Sequence, residues 1–394
     1  MQVKTHERQG ARTRAAMLAL GGTLALFCWQ FLTVHYNYGG NWTALFCISR
    51  RMPVPDFLKS EQLYHFSHAG YDGMVYHLIA HDPWMRKGSA DVIASAPFRY
   101  QRILVPALAW LAAFGQDRWI HPAYFGVILG FAFLGAYWLS LFASNAGLAP
   151  AWGLAFLLTP ATITSIDRMT VDIALAAVTA GFALYASESP DWRVLVLLAC
   201  AALSRETGAL LILGYAVYLF TRKNIRGGLL AIFTAVPAAA WFLFLSHGQK
   251  STLPGYGGWV PMAGFIHRVT RPLRYHHFAA FERIAAHALD LVALAGVALA
   301  LFYAARMLVR GTWDGRAAVV YALALSVVFL RSGAVWFDAY AFGRVLTPFL
   351  LLIAMVSMGA RPLAAFLPML LVDARIGLNI VTQIAGVFRG LTRL

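Results

Sequence analysis

The chain has 394 residues, 60% hydrophobic and only 12% charged, with a mean hydropathy of +0.64 and a formal net charge of +15. A soluble domain of this length needs far more charge to cover its surface, and the apolar runs of about 17–25 residues that recur along it are long enough for a helix to cross hydrocarbon. These runs are continuous rather than alternating, which excludes a β-barrel, and the 32 Lys and Arg lie scattered in short loops, which excludes a nucleic-acid surface.

In chain order, Lys4, Arg8, Arg12 and Arg14 precede the apolar run Ala15 to Tyr36. The run is too long for a signal-peptide core, and no small-residue cleavage site follows it. It predicts a first transmembrane helix with residues 1–14 in the cytoplasm. A semi-polar stretch, Asn37 to His121, follows as the first outer loop. Within it, NWTALFCI (Asn41–Ile48) reads as an interfacial helix. Ile103–Phe114, too short to span, reads as a surface or re-entrant helix.

Further spans are expected near Pro122–Phe142, Pro150–Ile166, Met169–Ala186, Val194–Leu203, Thr207–Phe220, Leu229–Leu245, Ile284–Leu308, Ala317–Leu330, Trp336–Met358 and from Pro362–Val372 onward. The expected fold is therefore all-α: one polytopic domain, residues 1–394, with about eleven crossings. Inside loops then hold Arg193; Arg222, Lys223 and Arg226; Arg306, Arg310 and Arg316; and Arg361. The outside turns hold only Arg168, Arg205, Arg331 and Arg344. Counting Ile103–Phe114 as a span would put TRKNIRGG outside, against the positive-inside bias.

This threading gathers four polar clusters on the outer face: GYDG (Gly70–Gly73), SIDRMTVD (Ser165–Asp172), SRETG (Ser204–Gly208) and WFDAYAFGR (Trp336–Arg344). Ionisable groups at apolar helix ends are costly unless paired or lining a wet cavity, so they are site candidates. Two long segments, 37–121 and 247–283, are available to cover such a cavity.

Asp72, flanked by Tyr71 and by glycines that permit close backbone approach, reads as a general base on an acceptor hydroxyl or as the N-cap of a helix Met74–Ala80. Asp82, in HDP, reads first as a turn residue and second as the other half of an acidic pair. Arg99 and Arg102 suit a bidentate phosphate clamp, or snorkelling to headgroups. Arg205 and Glu206 are neighbours that a helix would turn to different faces. Asp167, Arg168 and Asp172, like Asp338, Tyr340 and Arg344, fit either a substrate site or a local ion-pair network.

HLIAH puts His77 and His81 on one helix face, as a metal site does, with His65, His68, His276 and His277 in outer loops. The HxxHH boxes of membrane di-iron oxygenases are absent, so the plainer reading of these histidines is structural. GxSxG, Walker A, GxGxxG and HExxH are absent too. Cys28, Cys47 and Cys200 suggest neither a disulfide framework nor a CxxC metal site. Gly248–Pro261, with Tyr256 and Trp259, reads as a lid or a plain connector.

In order and sidedness, GYDGMVYHLIAHDP, RYQRILVPALAWLAA, TPATITSIDRMTVDIALA, LSRETGALL and YAFGRVLTPFLLL resemble the GT-C superfamily of membrane glycosyltransferases, in particular a bacterial subgroup of poorly defined substrate. The resemblance implies a sugar donor on a polyprenyl phosphate, reached from the outer leaflet of a prokaryotic plasma membrane. It also implies an acidic residue in the first outer loop that deprotonates a glycan, lipid or protein acceptor, a role that maps onto Asp72. Arg99, Arg102, Arg205 and Arg344 are the corresponding candidates for the departing lipid phosphate. The chain departs from the family's acidic pair, with no DD, DE or DxD near Asp72. A divalent cation (Mg or Mn) held by Asp72 and Asp82 is thus left open. The rival class is a lipid or solute transporter, with a non-catalytic relative as a third reading.

Overall fold

The computed structural model describes residues 2–67, 70–247, 257–275, 279–359 and 361–392. Among these the chain is helical almost throughout. The elements run α1 (Gln2–Tyr38), α2 (Asp72–His81), α3 (Ser89–Val92), α4 (Ala96–Tyr100), α5 (Leu104–Ala112), α6 (Asp117–Asn145), α7 (Pro160–Arg168), α8 (Asp172–Tyr185), α9 (Trp192–Ser204), α10 (Ala209–Thr221), α11 (Ile225–Phe233), α12 (Val236–Ser246), α13 (Ala263–Thr270), α14 (Ala280–Val309), α15 (Gly315–Val328), α16 (Gly333–Trp336), α17 (Ala339–Ser357) and α18 (Pro362–Leu391). Two-residue strands, β1 (Ile48–Ser49) and β2 (His65–Phe66), pair in parallel within the first long loop.

Among the described residues, six helices are long and apolar enough to cross a membrane: Gln9–Tyr38, Asp117–Asn145, the nearly continuous Ile225–Ser246, Ala280–Val309, Ala339–Ser357 and Pro362–Leu391. Four shorter apolar helices lie among them, at Asp172–Tyr185, Trp192–Ser204, Glu206–Thr221 and Gly315–Val328. The outward residues of α1 identify its surroundings. Met17, Leu20, Leu24, Phe27 and Phe31 recur at three- and four-residue spacing and are all exposed. A stripe of that kind on a soluble protein would aggregate; in lipid it is the surface expected. The chain is a multi-pass helical membrane protein.

α17 is the axis of the bundle. Its apolar window is 89% buried, against 22–39% for the other five, and it packs on α18, α8, α7, α15 and α14. Side chains on α17 are consequently held by helices on several sides.

The structure changes some expected boundaries. The span expected at Pro150–Ile166 is broken into a 3₁₀ run, Pro150–Leu158, and α7. Pro160 lacks an N–H and disfavours helix at the residue before it, and the Thr159 hydroxyl instead caps the new helix at the Thr162 amide. α6 begins at Asp117, inside the stretch read as loop. Ile103–Phe114 is a nine-residue helix, α5, about 14 Å long and too short to span. It leaves Leu111 and Phe114 exposed, as a surface helix at a lipid boundary does. Asn41–Ile48 forms a 3₁₀ turn over Trp42–Phe46 rather than an amphipathic helix.

Candidate functional site

Seven of the residues singled out in the sequence meet in one ion network. Asp72 opens α2; its Oδ1 accepts from Arg99 Nη1 at 2.6 Å and its Oδ2 from Arg344 Nη2 at 2.5 Å. Arg344 also reaches Asp172 at 3.3 Å, and Asp172 in turn pairs with Arg205. The Arg205 Nε lies 3.6 Å from Glu206. Glu206 then receives both arms of Arg102, at 2.8 and 3.0 Å. Arg102 finally donates to the buried Tyr76 hydroxyl at 2.8 Å. Anions and cations alternate along the whole path, Arg99–Asp72–Arg344–Asp172–Arg205–Glu206–Arg102.

Local backbone explains how distant segments supply these groups. Asp72 and Asp172 each sit in the first turn of a helix, where the unpaired N–H groups and the helix dipole favour a carboxylate. Arg205 does not continue α9. Its φ of −166° and ψ of 153° are extended, and a 3₁₀ turn, Glu206–Gly208, follows before α10. That kink brings Arg205 and Glu206 to the same side, which a continuous helix would not. Arg344, on α17, also lies over the Tyr71 ring at 5.0 Å, and Arg102 over Phe98 at 4.7 Å. These contacts replace the snorkelling alternative for Arg102, which is 2% exposed.

The glycines beside Asp72 serve the backbone rather than a ligand. A Cβ on Gly73 would stand 2.0 Å from the Arg168 carbonyl oxygen, so only glycine lets α2 start against the end of α7. Gly70 has φ +76°, and a Cβ there would meet the Cys47 carbonyl. The residue preceding α2 is Tyr71, which makes no side-chain cap, and the Asp72 carboxylate is directed to the arginines. The N-cap alternative for Asp72 is thereby set aside.

Burial alone would raise the Asp72 pKa. The guanidiniums of Arg344, Arg99 and Arg102 outweigh it and hold the carboxyl well below its ordinary range. Burial opposes the charged form of Arg99, but Asp72 and then Tyr76 outweigh it and raise its pKa.

Tyr71, Asp72, Arg99, Arg102, Arg205, Asp338 and Arg344 line a cleft of about 210 Å³. Beside it lies a second cavity, of about 250 Å³, walled by Leu323, Val327, Leu330, Leu346 and Phe349. Arg205, Val335 and Val345 border both, so the charged cleft and the apolar cavity share a wall. Thr207, on the apolar side, carries a buried hydroxyl with no partner among the described residues.

Other candidates lie elsewhere. Asp167 accepts from Tyr340 at 2.9 Å and Gln383 at 2.5 Å and pairs with Arg168, which donates to Cys47. This is a network tying α7 to α17 and α18, and it does not line the cleft. Asp82 is buried at the far end of α2 and accepts from the amides of Arg86, Lys87 and Ser89, closing a turn. About 15 Å of helix separates it from Asp72, so the two cannot share an ion. Asp338 borders the cleft and caps α17 at the Ala341 amide. Tyr76, absent from the sequence candidates, stands one helical turn after Asp72 on the same face; that spacing was the available signal. His68, His276, His277, Tyr256 and residues 248–256 of the lid segment fall outside the described residues.

The chain matches no family model, and the comparisons found no similar curated protein and no similar solved structure.

Proposed function

We propose that the chain is an inverting membrane glycosyltransferase of the GT-C type. It moves a sugar from a polyprenyl-phosphate donor to a glycan, lipid or protein acceptor on the outer face of a prokaryotic plasma membrane. In this reading about eleven segments cross, the N-terminus is cytoplasmic, and the cleft faces outward. The observation that carries it is the junction of the two cavities. A ligand with an anionic head and a hydrocarbon tail has a chamber for each part, and Arg205 stands where they meet.

The chemistry then follows from charge. The acceptor hydroxyl oxygen attacks the anomeric carbon as its proton passes to Asp72. The bond from that carbon to the phosphate oxygen breaks, and the lipid phosphate departs with the electron pair. Arg99, Arg102, Arg205 and Arg344 are placed to take the charge that develops on it. Asp72 is a weak base while two guanidiniums hold it. A phosphate that draws Arg99 and Arg344 to itself restores the basicity of Asp72 when substrate is present.

The residues present do not fit a bound Mg or Mn. Both Asp72 oxygens are occupied by guanidiniums, and Asp82 closes a remote turn. Such cations need several carboxylate or carbonyl oxygens directed at one point. No step is therefore assigned to a metal here.

The test is a transfer assay in proteoliposomes with defined polyprenyl-phosphate sugars. Asp72→Asn should lose about 10²-fold or more in turnover while eluting as a monodisperse species. Full turnover in a folded Asp72→Asn protein would remove the base assignment. Substrate translocation without covalent transfer would favour the transporter.

A further inference from the structure

A second cluster of polar groups lies behind α2, away from the cleft. His77 and His81 leave the buried face of that helix, and His121 approaches from the first turns of α6. The candidate ligand atoms of the three rings lie within 4.8 Å of one another. His77 and His81 are 1% and 0% exposed.

The hydrogen-bond arithmetic is incomplete without a further partner. His81 Nδ1 faces the Asp117 carboxylate at 3.0 Å, which makes Nδ1 the donor and leaves Nε2 as a lone pair. That Nε2 is buried and has no partner among the described residues. His77 Nε2 and His121 Nε2 face each other at 2.6 Å, a contact in which one nitrogen must also present a lone pair. Glu61 Oε2 stands 3.3 Å from His121 Nε2, the carboxylate oxygen nearest that ring. Lys87 holds Asp117 from its other side at 2.9 Å, and Phe46 stacks on His77 at 4.3 Å between centroids.

We propose that His77, His81 and His121 bind a zinc ion, with Glu61 as the fourth ligand and Asp117 orienting His81. Zinc–nitrogen bonds of about 2.0–2.1 Å put two ligand nitrogens of a tetrahedral site about 3.3 Å apart. The present spacings bracket that value, so ligand-ring movements on the order of 1 Å complete the site. The carboxylate–imidazole–metal arrangement at Asp117 and His81 fixes the ring tautomer and strengthens the ligand. Three neutral imidazoles with one carboxylate suit zinc, and they do not suit magnesium or calcium, which take oxygen ligands.

The ion would staple the Glu61 segment and α2 to α6. Asp72 and Tyr76 ride on α2, so the metal would act on the cleft as a positioning device and touch no substrate. The site does not depend on the glycosyl-transfer reading.

The experiment uses the full chain in detergent, stripped with chelator and titrated with Co(II), then with Zn(II). The expected result is one ion per chain, the visible absorption of tetrahedral cobalt, and its loss as zinc displaces it. His121→Gln, at a half-buried position, and His81→Gln should each bind at least about tenfold more weakly. Asp117→Asn should lose about 10–100-fold while retaining the tetrahedral spectrum. Absence of a tetrahedral cobalt spectrum in the wild-type protein would overturn the proposal, without reliance on any variant's folding. So would unchanged metal affinity in His81→Gln and His121→Gln.

Discussion

Asp172 is the residue on which the ion network can be tested most directly, because it lies behind the cleft rather than in its lining. Its side chain is 1% exposed and bridges Arg205 and Arg344. Four guanidiniums, of Arg99, Arg102, Arg205 and Arg344, here face three carboxylates, of Asp72, Asp172 and Glu206, leaving one excess positive charge. Asp172→Asn keeps the shape and raises the excess to two, with an amide N–H₂ directed at cations. At an effective dielectric of about 20, one pair at the 3.3 Å separation from Arg344 is worth about 5 kcal/mol. Breaking a buried pair typically costs about 3–5 kcal/mol, and the lower part of that range applies if Arg344 turns fully to Asp72. At about 2 °C per kcal/mol, the melting temperature should fall by roughly 6–10 °C. Added pyrophosphate should recover more of that loss in the variant than it adds to the wild type, because it supplies the missing negative charge to the same guanidiniums. The assay is thermal unfolding in detergent, with and without the anion. A fall of less than about 2 °C, unaffected by pyrophosphate, would refute the claim that this network is electrostatically coupled.

Gly73→Ala should destabilise the protein by about 1–3 kcal/mol, measured by the same unfolding assay, because its Cβ would press on the Arg168 carbonyl. Val345→Trp should crowd the wall that the two cavities share; KM for a long-chain donor should rise severalfold while that for a short-chain analogue changes little. Asp72 has a folded pKa below its unfolded value, so it contributes stability above the unfolded pKa, lost as pH falls through the folded one. Its ionisation should therefore leave stability flat between about pH 5 and 8, with the loss confined below about pH 4. Arg99→Ala should move that loss to higher pH, observable as a shift in the acid limb of melting temperature against pH.

Apolar runs were legible because spanning is a local property: α15, α17 and α18 begin close to where hydropathy alone places them. Common placement at helix ends on one face marks Asp72, Asp172, Arg205, Glu206 and Arg344 as neighbours of one cavity, but not as one ion network. What local pattern could not supply was pairing. Asp72 and Arg344 are 272 residues apart, and only the packing of α17 against the first loop brings them together. The same reason separates Asp167 and Arg168 from the cleft: Asp167 is held by Tyr340 of α17 and Gln383 of α18, and Arg168 by Asp167 and Cys47. Arg205 lies in the turn expected between two spans, whereas the span expected at Pro150–Ile166 is broken because Pro160 interrupts the backbone in a way hydropathy does not encode. His121 offered no signal beside HLIAH until α6 was placed.

The short helix α5 also determines where the chemistry sits relative to lipid. Arg102 lies two residues before it, and its exposed Leu108 and Leu111, followed by Phe114, form an apolar edge. α5 also packs on α6, α2 and α9 with Val105 and Ala109 buried, so one face is fixed by the bundle while the other presents this apolar edge. The Arg102–Glu206 pair thus ties the start of this half-buried helix to the α9–α10 corner. A load on that apolar edge is therefore carried through Arg102 into the ion network, and α5 is its mechanical neighbour as well as its sequence neighbour.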